Sequence, residues 1–186
     1  MLDTIESFEF LENFPVADYF IVEKLEDLKQ ADFPCFLKLS SSKHKTRLNS
    51  VFECHDFDEL EQNFKKLKKR FKKDKFIVQE KIKGREIIVG IKKDETFGDV
   101  LLIGEGGIYT EELEDIEFRV LPLSKKEIEK MLSELRVYSK IKDKVNEKKL
   151  IKLILKLSKL DVREMDINPV IVNSEDAKIV DARIKI

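Results

Sequence analysis

The chain has 186 residues, which is enough for one sizeable core or for two small lobes that share a cleft. Charged residues make up 39% and apolar residues 42%, and the net charge of -1 does not argue for a nucleic-acid binder, which usually presents a basic face. No apolar run approaches the ~18 residues of a membrane span, and the acidic first residues do not resemble a signal peptide, so we expect a cytoplasmic protein that binds no membrane.

The first part of the chain predicts short helices and strands in alternation. Asp3 or Thr4 caps an expected helix over 3–13, and Pro34 ends a second expected helix over 25–32. Strands are expected at three segments that are rich in strand-forming residues: 17–24, 35–40 and 51–54.

Residues 56–73 predict the clearest amphipathic helix of the sequence. Its apolar residues recur at steps of three and four: Phe57, Leu60, Phe64, Leu67 and Phe71. The basic tail of this segment is either a patch for nucleic acid or a solvated face, whose cations the helix dipole favours near a C-terminus. We favour the solvated face and expect no nucleic-acid partner.

Three apolar runs separated by turn residues predict an antiparallel sheet: 76–82, 85–94 and 98–107. A further strand is expected at 118–123. Ser124 and Glu127 have the spacing of a capping box, which begins a helix over 124–137.

A helix over 146–160 precedes a predicted hairpin at the end of the chain, formed by strands 164–173 and 177–186. Helices and strands are mixed throughout, without the strict alternation of a doubly wound fold, so the order predicts an α+β protein. We expect a single domain over 1–186, with a small lobe at about 15–78 and a larger sheet-bearing lobe at about 79–186.

The terminal hairpin contains a candidate metal site. Asn168 precedes a proline at the end of one strand, and Asp181 lies on the returning strand, so the hairpin can place both at one end of the sheet. An amide oxygen and a carboxylate suit Mg²⁺, which takes its remaining ligands from water and phosphates. The alternative is a turn asparagine and a surface aspartate. Glu164 and Asp166 add two carboxylates nearby.

Two further features could hold phosphate groups. The glycine segment GEGGI, at 104–108, could present backbone N–H groups to an anion, or it could be a plain turn. Lys38 lies in the middle of a predicted strand. Its ammonium could bind phosphate oxygens if that face lines a cleft, or it could point to solvent.

Arg119 and His44 complete the candidate residues. We interpret Arg119 as an arginine of a buried strand, which needs an anionic partner, either a carboxylate or a phosphate. His44 follows the strand of Lys38 by a few residues. An imidazole close to a phosphate-binding lysine could accept a phosphoryl group as a nucleophile.

Taken together and in this order, the segments resemble the ATP-grasp beta subunit of ADP-forming acetyl-CoA synthetase (acetate–CoA ligase), a relative of succinyl-CoA synthetase. The similarity is collinear over nearly the whole chain and is carried by three stretches: FPCFLKLSSSKHKT (33–46), 76–124, and EMDINPVIVN…IVDARI (164–184). The middle stretch is the most specific, because GREIIVG, DETFG, GEGGI and EFRVLP follow one another at the spacing of the family.

The resemblance implies an ATP-grasp fold with a nucleotide cleft between the lobes, and it implies roles by position. Nucleotide-contacting roles fall to Lys38 at the phosphates, Gln79 and Glu80 at the adenine, Glu86 at the ribose, and Gly104, Gly106 and Gly107 facing the phosphates. Arg119 corresponds to an arginine near the transferred phosphoryl group, and His44 to a histidine that can carry phosphate. Asn168 and Asp181 correspond to the magnesium ligands.

The implied activity is that of an acid–CoA ligase (ADP-forming), which uses ATP/ADP and Mg²⁺ and passes phosphate through a phosphohistidine. The implied partner is a CoA-binding alpha subunit, in a heterotetramer. The sequence departs from the family in a shorter loop before His44, in RLNS where glycines follow HKT, and in the absence of glycine from 137–147. The alternative is therefore a catalytically degraded nucleotide-binding module with a regulatory or scaffold role.

Overall fold

The computed structural model describes residues 1–41, 49–72, 74–107 and 115–186. Its contacts divide the chain into two compact units. The N-terminal unit comprises Leu2–Glu9 and Ala17–Ile82, and the C-terminal unit comprises Phe10–Val16 and Lys83–Ile186 with Met1. The chain passes into the C-terminal unit after Ile82, slightly beyond the boundary near 78 that the sequence suggested.

The N-terminal unit is built on an antiparallel sheet in the order β1-β4-β2-β3. Its strands are β1 Tyr19–Val22, β2 Cys35–Leu39, β3 Val51–Cys54 and β4 Phe76–Glu80. The N-terminal helix α1, Thr4–Phe10, is shorter than expected. The helix expected over 25–32 is instead a 3₁₀ helix, Leu25–Gln30, whose C-cap Ala31 is already extended.

The amphipathic helix predicted over 56–73 is confirmed as α2, Phe57–Arg70. It begins at Asp56, whose side chain accepts a hydrogen bond from the Glu59 N–H at 2.9 Å, as an N-cap does. Its apolar face packs on the sheet through buried side chains: Leu60, Phe64 and Leu67. Leu37, Leu39 and Val78 lie in the same core. Because side chains alternate along a strand, the residues next to them in β2 and β4 lie on the opposite face of the sheet.

The C-terminal unit is built on a second antiparallel sheet, in the order β10-β8-β5-β6-β7. Its strands are β5 Arg85–Asp94, β6 Gly98–Glu105, β7 Ile116–Val120, β8 Glu164–Val172, β9 Ala177–Ile179 and β10 Ala182–Lys185, with β9 also paired to β8. The expectation that 76–82 joins 85–94 and 98–107 in one sheet is wrong. Residues Phe76–Val78 are buried and pair with β1 and β2 in the other unit.

Helices α3 Lys125–Glu134, α4 Arg136–Ile141 and α5 Glu147–Leu157 follow in the C-terminal unit. The capping box of Ser124 and Glu127 is confirmed. The single helix expected over 124–137 is wrong, because Leu135 is extended and ends α3. In the part of the chain that the structure describes, no helix is both long and apolar enough to span a membrane.

Asp115 explains why a new helix begins directly after Leu135. Its buried carboxylate accepts hydrogen bonds from the N–H groups of Arg136 at 2.9 Å and Val137 at 2.8 Å, which are the first amides of α4. Burial raises the pKa of the Asp115 carboxyl, but these hydrogen bonds and the Arg136 guanidinium outweigh burial and hold the pKa below its usual value.

One face of the C-terminal sheet is covered by α3 and α5, and its side chains are fully buried: Ile87, Val89, Leu101, Ile103 and Ile167. Because side chains alternate along a strand, the neighbours of these residues lie on the opposite face, which we call the second face. It carries Ile88, Gly90, Leu102 and Phe118.

We predict that Asp115→Asn lowers the free energy of unfolding by about 1–3 kcal/mol at neutral pH, because one amide of α4 loses its acceptor in a buried place. The folded-state pKa is depressed, so this contribution is present above the unfolded-state pKa and is lost as pH falls through the folded-state pKa. Urea unfolding of both proteins between pH 7 and pH 3 measures it, and the difference should shrink below about pH 4.

Asp143→Asn is the matched control, since Asp143 is an exposed residue of the same unit. An equal loss of stability in the control, or a difference that grows on acidification, would contradict the capping role of Asp115.

Candidate functional site

Asn168 and Asp181 lie opposite each other in the terminal hairpin. β8 pairs with β10 at Ile167↔Ala182 and with β9 at Val170↔Ile179, and the same register continued through the gap sets Asn168 against Asp181. The second strand of the predicted hairpin is interrupted here, since β9 ends at Ile179 and β10 begins at Ala182. The amide and carboxylate side chains thus come from directly facing positions, as the sequence suggested.

A β-bulge changes the direction of β8 at Asn168. On the other side of β8, the pairing with β5 shifts between Ile87 and Val89, so that Asn168 and Pro169 together oppose Ile88. Such bulges bend a strand locally and are frequent beside functional sites. The Asn168–Pro169 peptide bond is cis.

The glycine segment after β6 contacts Asn168 at this bulge. The Gly107 N–H donates a hydrogen bond to the Asn168 Oδ1 at 2.8 Å, and the Gly106 N–H donates to the Glu86 carbonyl oxygen at 2.9 Å. Gly107 has a φ of 95°, a left-handed conformation that favours glycine. A Cβ at Gly107 would lie 2.0 Å from the Glu86 Oε2, so the Glu86 carboxylate lies against this glycine.

These contacts assemble one group of residues in the C-terminal unit, which we call the Asn168 cluster: Glu86, Gly106, Gly107, Asn168 and Asp181. The Glu86 side chain keeps solvent exposure, yet desolvation by its surroundings raises the pKa of its carboxyl. The cluster therefore contains an amide oxygen and two carboxylates, beside glycine N–H groups that are hydrogen-bonded within the chain.

Gly104 has a different role from the other two glycines. A Cβ there would lie 2.5 Å from the Ile116 Cγ2 and 2.6 Å from the Asp115 carbonyl oxygen. Gly104 therefore permits β7 to approach β6 closely, which is a packing reason for glycine.

The structure does not bring Arg119 to the Asn168 cluster. Arg119 pairs with Leu101, so its side chain lies on the face of the sheet that the helices cover, while Phe118 lies on the second face. It is half-buried rather than buried, at 32% exposure. Its guanidinium is paired with the carboxylates of Glu117, at 2.9 Å, and Glu134. The sequence left open whether the partner of Arg119 is a carboxylate or a phosphate, and in the structure its partners are carboxylates.

Lys38, Gln79 and Glu80 belong to the N-terminal unit. The Lys38 Nζ donates to the Gln79 Oε1 at 2.5 Å, and both side chains are buried, at 7% and 1% exposure. Lys38 therefore does not point to bulk solvent. The Glu80 carboxylate accepts a hydrogen bond from the Asp18 N–H at 2.8 Å and so ties β4 to the chain before β1.

His44 lies outside the described residues, together with the rest of 42–48. Sequence reasoning overlooked Arg183, which pairs with Asp166 beside the Asn168 cluster. The register Arg183↔Asp166 brings these opposite charges together. The sequence did offer a signal for this ion pair, because an arginine and an aspartate lie in the two strands of the predicted hairpin.

The residues present fit magnesium and a phosphate-bearing ligand. In the described ranges no three His, Cys, Asp or Glu side chains form a metal cluster. One carboxylate and one amide oxygen on facing strands nevertheless suit Mg²⁺, which keeps several waters or phosphate oxygens as ligands. In the N-terminal unit, the Gln79 Nε2 is buried and has no hydrogen-bond partner among the described residues, as expected of a donor that a ligand would satisfy.

A cavity of about 450 Å³ opens on the second face of the C-terminal sheet. Its walls are mainly apolar, from Ile88, Val100, Leu102 and Phe118, with the carboxylates of Glu164 and Asp166 at one side. Ile88 and Asp166 are two residues from Glu86 and Asn168 in the same strands, so the cavity adjoins the Asn168 cluster.

Comparison with known proteins places these features in context. The ATP-grasp domain family matches residues 1–186. An acetate–CoA ligase [ADP-forming] II of Archaeoglobus fulgidus is 34% identical over 170 residues, which cover 84% of this chain and 25% of that protein. The beta subunit of acetate–CoA ligase [ADP-forming] II of Pyrococcus furiosus is 37% identical over 114 residues, covering 54% of this chain and 48% of that protein. The chain thus spans a quarter to a half of these relatives.

Solved structures agree with the family match. An acetyl-coenzyme A synthetase 1 of Candidatus Korarchaeum cryptofilum, in complex with coenzyme A and Ca-AMPCP, superposes with a TM-score of 0.86 at 26% identity, covering 100% of this chain and 93% of that chain. A second complex of that enzyme contains coenzyme A and Mg-AMPPCP, with a phosphohistidine segment pointing towards the nucleotide binding site. It has a TM-score of 0.82 at 25% identity, covering 98% of this chain and 91% of that chain.

Gly104 and Gly90, each inside a strand of the C-terminal sheet, give a matched test of packing. We predict that Gly104→Ala lowers the free energy of unfolding by about 1–3 kcal/mol, because its Cβ would overlap Ile116 and Asp115. Gly90→Ala should change stability by less than about 1 kcal/mol, since its Cβ would meet its nearest atom at 3.5 Å. Urea unfolding measures both. A stable Gly104→Ala protein with weakened nucleotide binding would contradict the packing role.

Proposed function

The chain belongs to the ATP-grasp family, and from that premise we propose that it is the nucleotide- and magnesium-binding part of an ADP-forming acyl-CoA synthetase. In this proposal it transfers a phosphoryl group between the nucleotide and a histidine. The curated relatives are named as acetate–CoA ligases, and the solved relative was crystallised with a magnesium nucleotide analogue. Because the chain spans a quarter to a half of the curated relatives, the complete ligase activity requires parts that lie outside it.

The observation that carries the proposal is the Asn168 cluster. A bulge in β8, a left-handed glycine and a facing aspartate bring an amide oxygen and a carboxylate together beside the glycine backbone that follows β6. An amide oxygen and a carboxylate suit Mg²⁺, which takes its remaining ligands from water and phosphates. A set of surface turns would not need the close approach of Gly106 and Gly107 to Glu86.

We assign the roles of the residues as follows. Asn168 Oδ1, which also accepts the Gly107 N–H, and the Asp181 carboxylate hold the metal, and Gly106 and Gly107 face the phosphates with backbone that carries no side chain. We assign Glu86 to the ribose, Lys38 to the phosphates, and Gln79 and Glu80 to the adenine. Arg119 holds β7 to α3 through Glu117 and Glu134, a structural role.

Phosphoryl transfer requires positioning and charge neutralisation more than covalent chemistry from the protein. When bound, Mg²⁺ supplies part of that neutralisation at the phosphate oxygens. Lys38 adds a positive charge for the phosphate oxygens that gain charge in the transition state.

The acceptor is a histidine. In the Korarchaeum enzyme a phosphohistidine segment points towards the nucleotide binding site. We propose that this chain serves a histidine-bearing, CoA-binding alpha subunit in a heterotetramer, and that such a segment approaches across the cavity on the second face. His44 is the candidate phosphate carrier within this chain.

We predict that Asp181→Asn weakens binding of Mg-ATP at least about tenfold, because the metal loses its charged ligand, and leaves binding of ATP in EDTA nearly unchanged. Isothermal titration with and without magnesium measures both affinities, and Asp143→Asn is the control. An equal loss with and without magnesium would argue against a metal ligand at Asp181.

We predict that His44→Asn keeps the affinity for Mg-ATP and abolishes transfer of ³²P from [γ-³²P]ATP to this chain, because the nucleophilic nitrogen is removed. Acid-labile labelling of wild type and variant, alone and with a CoA-binding subunit, measures the transfer. Tight binding of Mg-ATP without label in either protein would favour the alternative, a nucleotide-binding module without catalysis.

A further inference from the structure

Strand β7 forms one edge of the C-terminal sheet, and within the described ranges it pairs with β6 alone. Just outside the two ends of β7, the Glu105 N–H donates to the Asp115 carbonyl oxygen at 3.0 Å, and the Leu121 N–H donates to the Asp99 carbonyl oxygen at 2.8 Å. Because antiparallel pairs alternate in their bonding, the odd-numbered residues of β7 direct their N–H and C=O groups at β6, and the even-numbered residues direct theirs away from the sheet. The outward groups belong to three residues: Ile116, Phe118 and Val120.

This edge exposes large apolar side chains. Phe118 and Val120 are 50% and 49% exposed. The five residues of β7, IEFRV, include no proline and no lysine, which natural sheets often place on an open edge to prevent pairing. The opposite edge of the same sheet, β10, carries Arg183 and Lys185. The β7 edge is therefore suited to pairing with a further strand.

The sequence of β7 complements itself when two copies run antiparallel. With Phe118 opposite its own copy, Ile116 faces Val120 of the other strand. Glu117 likewise faces Arg119, and each of these pairs occurs twice, as a two-fold axis requires. The apolar residues then occupy the bonded positions, since their backbone groups point outwards. The two charged residues occupy the non-bonded positions, where facing side chains approach most closely and opposite charges stabilise a sheet.

The Arg119 guanidinium already lies at this edge. Its Nη1 donates to the Phe118 carbonyl oxygen at 2.7 Å and to the Glu117 carboxylate at 2.9 Å. A carbonyl oxygen has two lone pairs, so that of Phe118 can also accept the N–H of a facing strand. The guanidinium has more N–H donors than its contacts within the chain use, so it can bind the Glu117 carboxylate of a second copy as well.

We propose that β7 is the surface through which this chain binds a second copy of itself, by antiparallel pairing about a two-fold axis at Phe118. The C-terminal sheets of the two copies then form one continuous sheet, and the apolar side chains of both β7 strands lie side by side on its second face. The occupant is a second copy because the charge pattern of β7 is satisfied by its own inverse. This inference goes beyond the proposed function and does not depend on nucleotide binding.

Sedimentation equilibrium over a series of concentrations measures the dissociation constant of the dimer, and thermal unfolding checks that each variant is folded. Phe118→Lys sets two like charges against each other at the two-fold axis, so it should raise the dissociation constant at least about tenfold. Phe97→Lys is the matched control, since Phe97 is an exposed phenylalanine, at 67%, in the turn between β5 and β6. The control should stay within about twofold of wild type.

Charge reversal tests the register. Glu117→Arg alone sets arginines against each other, and Arg119→Glu alone sets glutamates against each other, so each variant should dissociate at concentrations where wild type is a dimer. An equal mixture of the two variants should restore the dimer, because every arginine then faces a glutamate of the partner strand. If a charge variant does not fold, Phe118→Lys and hydrogen exchange decide.

Amide hydrogen exchange tests the strand pairing itself. The N–H groups of Glu117 and Arg119 bind β6 within one chain, so they should be protected at every concentration. The outward N–H groups should gain protection at least about tenfold only at concentrations where the dimer forms. These are the amides of Ile116, Phe118 and Val120.

Three outcomes overturn the inference. Wild type that stays monomeric at every concentration has no such interface. A dimer that Phe118→Lys leaves intact, or whose outward β7 amides gain no protection, is joined elsewhere. A mixture of folded charge variants that stays monomeric excludes the two-fold register. Binding of Mg-ATP by wild type, measured by isothermal titration, would leave the proposed function standing in each case.

Discussion

The hydrogen bond from the Gly107 N–H to the Asn168 Oδ1 joins residues 61 positions apart and constrains β5, β6 and β8 of the C-terminal unit together. To form it, the end of β6 must cross the start of β5, where a Cβ at Gly106 would lie 2.8 Å from the Ile87 backbone. β8 must bulge at the same point to turn Asn168 towards the glycine. One backbone arrangement therefore fixes both the amides and the candidate metal ligands.

Buried polar groups have two different uses in this protein. The Asp115 carboxylate is satisfied within the chain, since it accepts the first two amides of α4, and it makes that helix start where it does. The Gln79 amide is satisfied at its oxygen by Lys38 and unsatisfied at its nitrogen. A fully paired group stabilises a fold, whereas a half-paired one costs stability that a ligand can restore.

Much of the candidate site could be predicted from the sequence, because its residues lie in segments with strong local signals. The glycines follow an apolar strand. Asn168 and Asp181 lie on the two arms of a terminal hairpin, so the sequence pattern predicted that these two residues lie at one end of the sheet. The partner of Arg119 and the burial of Lys38 could not be predicted in this way. Each depends on which face of a strand is covered, and that depends on elements distant in sequence.

The α+β class, the amphipathic helix α2, the capping box at Ser124 and the family could all be predicted from the sequence alone, since each rests on short-range spacing or on motifs in a set order. Three features became visible in the folded chain: β4 belongs to the first sheet, Leu135 separates two helices, and Arg119 lies away from the Asn168 cluster. The reason is physical. Strand pairing, bulges and buried hydrogen bonds join residues far apart in the chain, and local patterns of polarity do not encode which distant partner each residue will meet.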